Sequence, residues 1–148
     1  TRRSSDLAMA PFYIEKNYKG EDNEKEFIKF LEESKSVSWW YKNGDAGSEF
    51  FSISYFNPDE NKEKLFYPDW IFKAKDKIWI IDTKKGATAE LADTAYKAEA
   101  LQEWLKGKKG LTGGITVQDG PNGWKINSNA KYSYSSSFKG WTSLRDIV

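Results

Sequence analysis

The sequence predicts an α/β fold, in which a mixed β-sheet is flanked by helices. The first observation is the order of elements, because one amphipathic helix precedes a group of short aromatic strands and a second helix separates these from further strands. The second is composition: 148 residues that are 39% hydrophobic and 30% charged can bury the core of one domain. We expect residues 1–20 to be a linker or N-terminal extension and residues 21–148 to form the domain. Because the chain begins with Thr1, we expect it to be a fragment of a larger protein.

The first helix is predicted over residues 23–34. Asp22 or Asn23 is a suitable N-cap, and apolar residues recur at helical spacing between Phe27 and Leu31. Glu24 precedes these residues by three and seven positions, so it shares their inward face.

The strands are predicted from aromatic and β-branched runs that lie between turn residues. These strands cover residues 37–41, 50–56, 66–72, 78–82, 114–118 and 124–127. We expect a polar loop over 57–64 and a two-residue turn at Lys75-Asp76. The second helix is predicted over 89–106, with Leu91 on its buried side, and ends before Gly107.

Two residue types are missing from the whole sequence, and their absence limits the chemistry. There is no histidine and no cysteine, which excludes Ser-His-Asp and Cys-His hydrolases and zinc sites built on these ligands. What remains is carboxylate chemistry, either with a hard metal ion or with an acid/base pair, or no chemistry at all. The net charge of +1 neither favours nor excludes a nucleic-acid partner. No apolar stretch is long enough to span a membrane.

The predicted hairpin around Lys75-Asp76 brings two carboxylates together. A turn centred there places Asp69 opposite Asp82, and Lys84 points to the same face. Two facing carboxylates repel each other, so the arrangement makes sense if a cation lies between them. Mg²⁺ is bound in this way, by one or two carboxylates with water and phosphate oxygens.

These residues resemble the motif of the PD-(D/E)XK nuclease superfamily. The match consists of Pro68-Asp69, twelve intervening residues, and then Asp82-Thr83-Lys84. The predicted order of elements resembles the restriction-endonuclease-like αβββαβ core of that superfamily. More narrowly, the segments from Val37 to Asn43 and from Ile80 to Gly86 are similar to the C-terminal nuclease domain of type III restriction enzymes, which follows a helicase motor in the Res subunit.

The resemblance implies DNA cleavage that depends on Mg²⁺, for which Mn²⁺ can substitute. Asp69 and Asp82 would ligate the metal, with the backbone carbonyl of Thr83 as a further ligand. Lys84 would position or activate the attacking water, and Glu24 would complete the site directly or through water. Helical phase alone favours Glu24, and a helix shifted by two residues would favour Glu26 instead.

The same resemblance implies partners and a location. Double-stranded DNA would be the substrate, and Lys85, Lys97 and Gln102 are candidates for contacting it. ATP would act only through a helicase motor outside this chain, and a modification methyltransferase is a candidate partner subunit. The protein would work in the bacterial cytoplasm, in restriction–modification or another phage-defence system.

Two other functions remain open from the residues alone. One is a nuclease-like domain that has lost activity and serves nucleic-acid binding or assembly. The other is an aromatic-rich glycan-binding module, which requires exposed tryptophans on one sheet face. Trp39 and Trp40 lie next to each other in a predicted strand, and we expect both to be core residues.

Overall fold

A six-stranded mixed sheet lies at the centre of the computed structural model, which describes residues 2–4, 7, 13–15, 22–121 and 123–148. The helices are α1 (Asp22–Glu33), α2 (Gly86–Ala89), α3 (Ala92–Leu105) and α4 (Leu144–Ile147). The strands are β1 (Arg2–Ser4), β2 (Tyr13–Glu15), β3 (Val37–Lys42), β4 (Ile53–Asn57), β5 (Lys62–Phe66), β6 (Trp70–Ala74), β7 (Lys77–Lys84), β8 (Leu111–Gln118), β9 (Trp124–Asn127) and β10 (Thr142–Ser143).

The central sheet has the strand order β10-β9-β8-β7-β6-β3. Only β7 and β8 run parallel to each other in it, and the chain passes from one to the other through α2 and α3. The hairpin β4–β5 and the pair β1–β2 form separate two-stranded sheets. The coarse prediction is confirmed: the chain is a mixed α/β protein whose sheet is flanked by helices.

Two hydrophobic clusters pack against the two faces of the central sheet. One cluster joins α1 and α4 to the sheet and contains the fully buried Phe27, Trp40 and Trp70. The other joins α3 and the β4–β5 hairpin to the sheet and includes Leu101 and Ile115. The strands at the centre are therefore covered on both sides, which explains why most residues of β7 and β8 are buried.

The β4–β5 hairpin differs from the sequence prediction. Lys62–Phe66 is a strand where a loop over 57–64 was expected, and β4 begins at Ile53 rather than at residue 50. The outer face of this hairpin is exposed, so charged side chains are tolerated there, and the charge pattern concealed the strand. The predicted strand over 66–72 is divided between β5 and β6 by Tyr67-Pro68-Asp69.

The second predicted helix is divided too. It consists of the short α2 and of α3, and Leu91 lies between them. Leu91 is 54% exposed rather than buried, because it caps α3 and is not part of its apolar face. The hydroxyl of Thr94 donates a hydrogen bond of 2.6 Å to the carbonyl of Thr88 and joins the two helices.

Most of the predicted extension 1–20 lies outside the described residues. Of its described parts, β1 and β2 pair with each other, and the carbonyl of Leu7 accepts a hydrogen bond of 2.9 Å from the amide of Trp40. None of the helices within the described ranges is long and apolar enough to cross a membrane.

Candidate active site

The β6–β7 hairpin has the register that the sequence predicts. Lys75 and Asp76 form its turn, both with positive φ (52° and 62°), as a two-residue type I′ turn requires. Trp70 is paired with Ile81 at the other end of the ladder. Asp69 therefore lies directly before β6 and next to Asp82 of β7.

Hydrogen bonds to the backbone hold the two aspartates at this end of the hairpin. The amide of Asp69 donates to Oδ1 of Asp82 at 3.2 Å. In return, the amide and the hydroxyl of Thr83 donate to Oδ2 of Asp69 at 3.1 and 3.0 Å. Each carboxylate thus has one oxygen committed to the fold, and its second oxygen lies next to the ammonium of a lysine, Lys42 for Asp69 and Lys84 for Asp82.

Asp82 is the most unusual group of the site, because it is only 2% exposed. Its Oδ2 lies 3.1 Å from the ammonium of Lys84 but accepts no well-aligned hydrogen bond from the described residues. Burial, followed by the neighbouring Asp69 carboxylate, raises the pKa of Asp82 to about 7, although Lys84 acts in the opposite direction. A cation next to this carboxylate would favour its ionised form.

Lys84 supplies a positive charge within the site. Burial lowers the pKa of its ammonium, but the Asp82 carboxylate, together with Asp69 and Asp93, outweighs burial and raises that pKa above its ordinary value. Lys84 is therefore a charged donor at neutral pH.

Lys42 is a second ammonium that the sequence analysis missed. It is the last residue of β3, and its Nζ lies 3.6 Å from Oδ1 of Asp69 and 3.9 Å from Oε1 of Glu24. The ammonium also lies 5.2 Å from the ring centroid of Trp70, its partner across the β3–β6 ladder. The pairing of β3 with β6 places Lys42 next to Asp69. No local pattern in the sequence indicates that these two strands pair.

Asn43 is the second residue of this region that the sequence analysis did not identify. It is 3% exposed, and its amide Nδ2 donates to the carbonyls of Pro68 and Phe51 at 2.9 and 2.8 Å. Its backbone amide donates to the carbonyl of Asp69 at 2.8 Å. Asn43 therefore fixes the irregular segment that carries Asp69.

An open cleft of about 290 Å³ gives access to Asp69 and Lys84, whereas the buried Asp82 is not part of its lining. Its lining comprises Asn23, Glu24, Asp69, Thr83, Lys84, Lys85 and Thr88. Glu24 belongs to this lining and Glu26 does not, which agrees with the choice made from helical phase. The exposed Lys85 lies at the rim, where a phosphate could contact it.

The other two predicted DNA contacts do not line this cleft. Lys97 lies 3.2 Å from Asp93 and 5.7 Å from the ring centroid of Phe66, so its charge is already paired. The amide of Gln102 donates to the carbonyl of Gly113 on β8 at 3.0 Å. Both side chains connect α3 to neighbouring strands. Residue type and helical spacing alone could not distinguish this structural role from contacts with DNA.

The donor atoms fit a hard divalent cation, although no group of three or more acidic side chains suited to hold a metal is present in the part of the chain that the structure describes. Asp69 and Asp82 offer two carboxylates, and the carbonyl of Thr83 belongs to the residue between Asp82 and Lys84. Mg²⁺ typically takes one or two carboxylates and keeps water and phosphate oxygens as its other ligands. The poorly satisfied, buried Oδ2 of Asp82 is the atom that gains most from such an ion.

Comparisons with known proteins give one family. No curated protein and no solved structure matches the chain. The family model described as the YagJ family matches residues 14–132, which is most of the sequence. The chain therefore belongs to the YagJ family.

Proposed function

We propose that this protein is a Mg²⁺-dependent endonuclease domain that hydrolyses phosphodiester bonds of DNA. One observation carries the proposal: the buried carboxylate of Asp82 lies next to a second carboxylate, Asp69, and an ammonium, Lys84, and both of these neighbours line an open cleft. Burying a charged group is costly unless a partner compensates it, so such a site is typical of a functional centre.

Each residue of the site would have its own role in the proposed reaction. Asp69 and Asp82, with the Thr83 carbonyl, would hold the metal ion, which lowers the pKa of a bound water and offsets charge on the phosphoryl oxygen. Lys84 would orient the attacking water and oppose the developing negative charge. Glu24 contributes from α1, and its link to Asp69 runs through Lys42.

The order of elements supports a PD-(D/E)XK origin for the domain. Helix α1, strands β3, β6 and β7, helix α3 and strand β8 follow each other as an αβββαβ series, with β4–β5 inserted as a separate hairpin. The two aspartates lie at the β6–β7 hairpin, the place that the resemblance to the superfamily motif implies. We therefore propose a restriction-endonuclease-like core for this chain.

We also propose that the domain is part of a larger enzyme. The domain would be the C-terminal nuclease of a type III restriction enzyme or a related helicase-nuclease, working on double-stranded DNA in the bacterial cytoplasm. An ATP-driven motor and, in restriction–modification, a methyltransferase subunit would deliver it to its site. The near-neutral charge of the chain supports this view, because it provides little electrostatic attraction to DNA.

A nicking assay on supercoiled plasmid tests the proposal. We expect the wild type to nick in Mg²⁺ or Mn²⁺, and Asp82→Asn and Lys84→Met each to lose at least 100-fold of the rate. Matched controls are Asp76→Asn and Lys77→Met, which change the same residue types at the exposed turn end of the hairpin and should keep full activity. Nicking that survives in Asp82→Asn would contradict the proposal.

An inactive nuclease-like domain is the second candidate function. It is favoured by the ion pair of Lys84 with Asp82, which can serve as a purely structural contact. In that case Asp82→Asn would leave DNA binding unchanged, and neither protein would nick. The glycan-binding alternative gains no support, because the exposed large hydrophobic side chains in the described ranges are Phe56, Leu65 and Leu91, none of them tryptophan.

A further inference from the structure

The ammonium of Lys42 lies between two carboxylates, a position that a cation bound by both of them would also occupy. Its Nζ is 3.6 Å from Asp69 and 3.9 Å from Glu24, and Asp69 is also one of the two aspartates proposed to hold Mg²⁺. We propose that Lys42 is the second cation of this site, so that the cleft binds a single divalent ion at Asp69 and Asp82. This inference rests on the proposed function and specifies its metal stoichiometry.

Lys42 is held in place by more than the two carboxylates. Its Nζ donates a hydrogen bond of 3.1 Å to the carbonyl of Asn43 and lies over the ring of Trp70. Its side chain is only 19% exposed, and its backbone is fixed in the β3–β6 ladder. An ammonium with these supports stays at its position when ligands enter the cleft, as a bound ion would.

The oxygen atoms support one ion rather than two. Oδ2 of Asp69 accepts two hydrogen bonds from Thr83, so Oδ1 would have to serve both the divalent ion and Lys42, which leaves no oxygen of Asp69 for a second ion. A second metal ion would have to displace Lys42 to reach Glu24 together with Asp69. Glu24 therefore acts by holding Lys42 and does not ligate the metal directly.

Charge repulsion leads to the same conclusion. Among the described residues, the ammonium groups of Lys42 and Lys84 lie next to the two aspartates, and Lys85 lies at the rim of the cleft. A second divalent ion would add two more positive charges close to these lysines, which is electrostatically unfavourable.

Counting bound Mn²⁺ by calorimetry, with paramagnetic resonance to detect coupled ion pairs, tests the inference on the full chain. We expect one ion for the wild type and none for Asp82→Asn. Lys42→Met removes the charge but keeps the chain length, and we expect it to bind two ions, while Lys42→Arg should bind one. Lys73→Met is the control, because it changes an exposed lysine on the neighbouring strand.

The outcomes separate this inference from the proposed function. Two ions in the wild type, or one ion in a folded Lys42→Met, would overturn the inference and leave the nuclease proposal in place. If Lys42→Met does not fold, Lys42→Gln takes its place, with the same expected gain of a second ion. No ion in the wild type would overturn the proposed function and the inference with it.

Discussion

The burial of the Asp82 carboxylate is unfavourable for stability, whereas the proposed function depends on this side chain. It is fully surrounded by protein, yet the proposed chemistry requires it to be negatively charged. Burial is the largest cause of its raised pKa, and the Asp69 carboxylate adds to it. A bound metal ion would resolve the conflict, whereas the protein without metal has an unfavourable buried charge above neutral pH.

This conflict predicts the effect of Asp82→Asn on stability. The folded-state pKa of about 7 exceeds the ordinary value of 3.8, so the folded protein keeps a proton that the unfolded chain loses. On account of this group, stability falls as pH rises from about 4 to about 7 and stays low above it. We expect Asp82→Asn to raise the free energy of unfolding on the order of 2 kcal/mol at pH 8, and less at pH 5.

Urea denaturation at both pH values, without metal, measures this effect. Asp76→Asn is the matched control, since Asp76 is exposed at the hairpin turn, and it should not change the pH dependence. A loss of stability in Asp82→Asn at pH 8 would show that the ion pair with Lys84 outweighs the cost of burial.

Asn43 provides a second prediction at the scale of the residue. Asn43→Asp keeps the shape and the acceptor for the amide of Phe51, but it removes the donor to the carbonyls of Pro68 and Phe51. It also buries a charge next to Asp69. We expect a loss of about 3 kcal/mol in the free energy of unfolding and a strong loss of nicking.

The control for this variant is Asn129→Asp, at an exposed position with one side-chain bond to the carbonyl of Gly140. We expect it to cost less than about 1 kcal/mol. Equal losses in both variants, measured by urea denaturation, would refute the view that Asn43 fixes the segment carrying Asp69.

Local signals were sufficient to predict the elements that hold the aspartates. The two-residue turn at Lys75-Asp76 sets the register of β6 against β7, so the proximity of Asp69 and Asp82 could be inferred from the sequence. The residues of the edge strand β3 pair with residues of β6 that lie 28 to 37 positions later in the sequence, and no turn sets that register. Lys42 and Asn43 were therefore missed, although they complete the site.

The close approach of β8 to its neighbours gives a prediction at the scale of the element. A Cβ atom on Gly114 would lie 2.0 Å from the carbonyl oxygen of Asn127, so a side chain there forces the backbones apart. We expect Gly114→Ala to lower the free energy of unfolding by about 3 kcal/mol. Gly120→Ala, in open space at φ +79°, should cost about 1 kcal/mol, from its left-handed backbone alone.

Urea denaturation of both glycine variants, read by tryptophan fluorescence, decides this prediction. A Gly114→Ala protein as stable as the Gly120→Ala protein would show that β8 and β9 can separate at little cost.

At the scale of the whole molecule, the sheet brings together residues that are far apart in sequence. Helix α1 contributes Glu24, β3 ends at Lys42, and the β6–β7 hairpin contributes Asp69, Asp82 and Lys84. All of them meet at the end of the sheet away from the Lys75-Asp76 turn. The fold class and the hairpin could be predicted from composition and periodicity, but the meeting of α1 and β3 at this end depends on tertiary packing.

The most direct measurement of the central claim is calorimetric titration of Mg²⁺ and Mn²⁺ into the wild type and into Asp82→Asn at pH 8. The account predicts that the wild type binds metal and that Asp82→Asn loses this binding, while the Asp76→Asn control keeps it. No metal binding by a folded wild type, even with DNA present, or equal binding by Asp82→Asn, would contradict the assignment of the Asp69–Asp82 site as a metal-dependent catalytic centre.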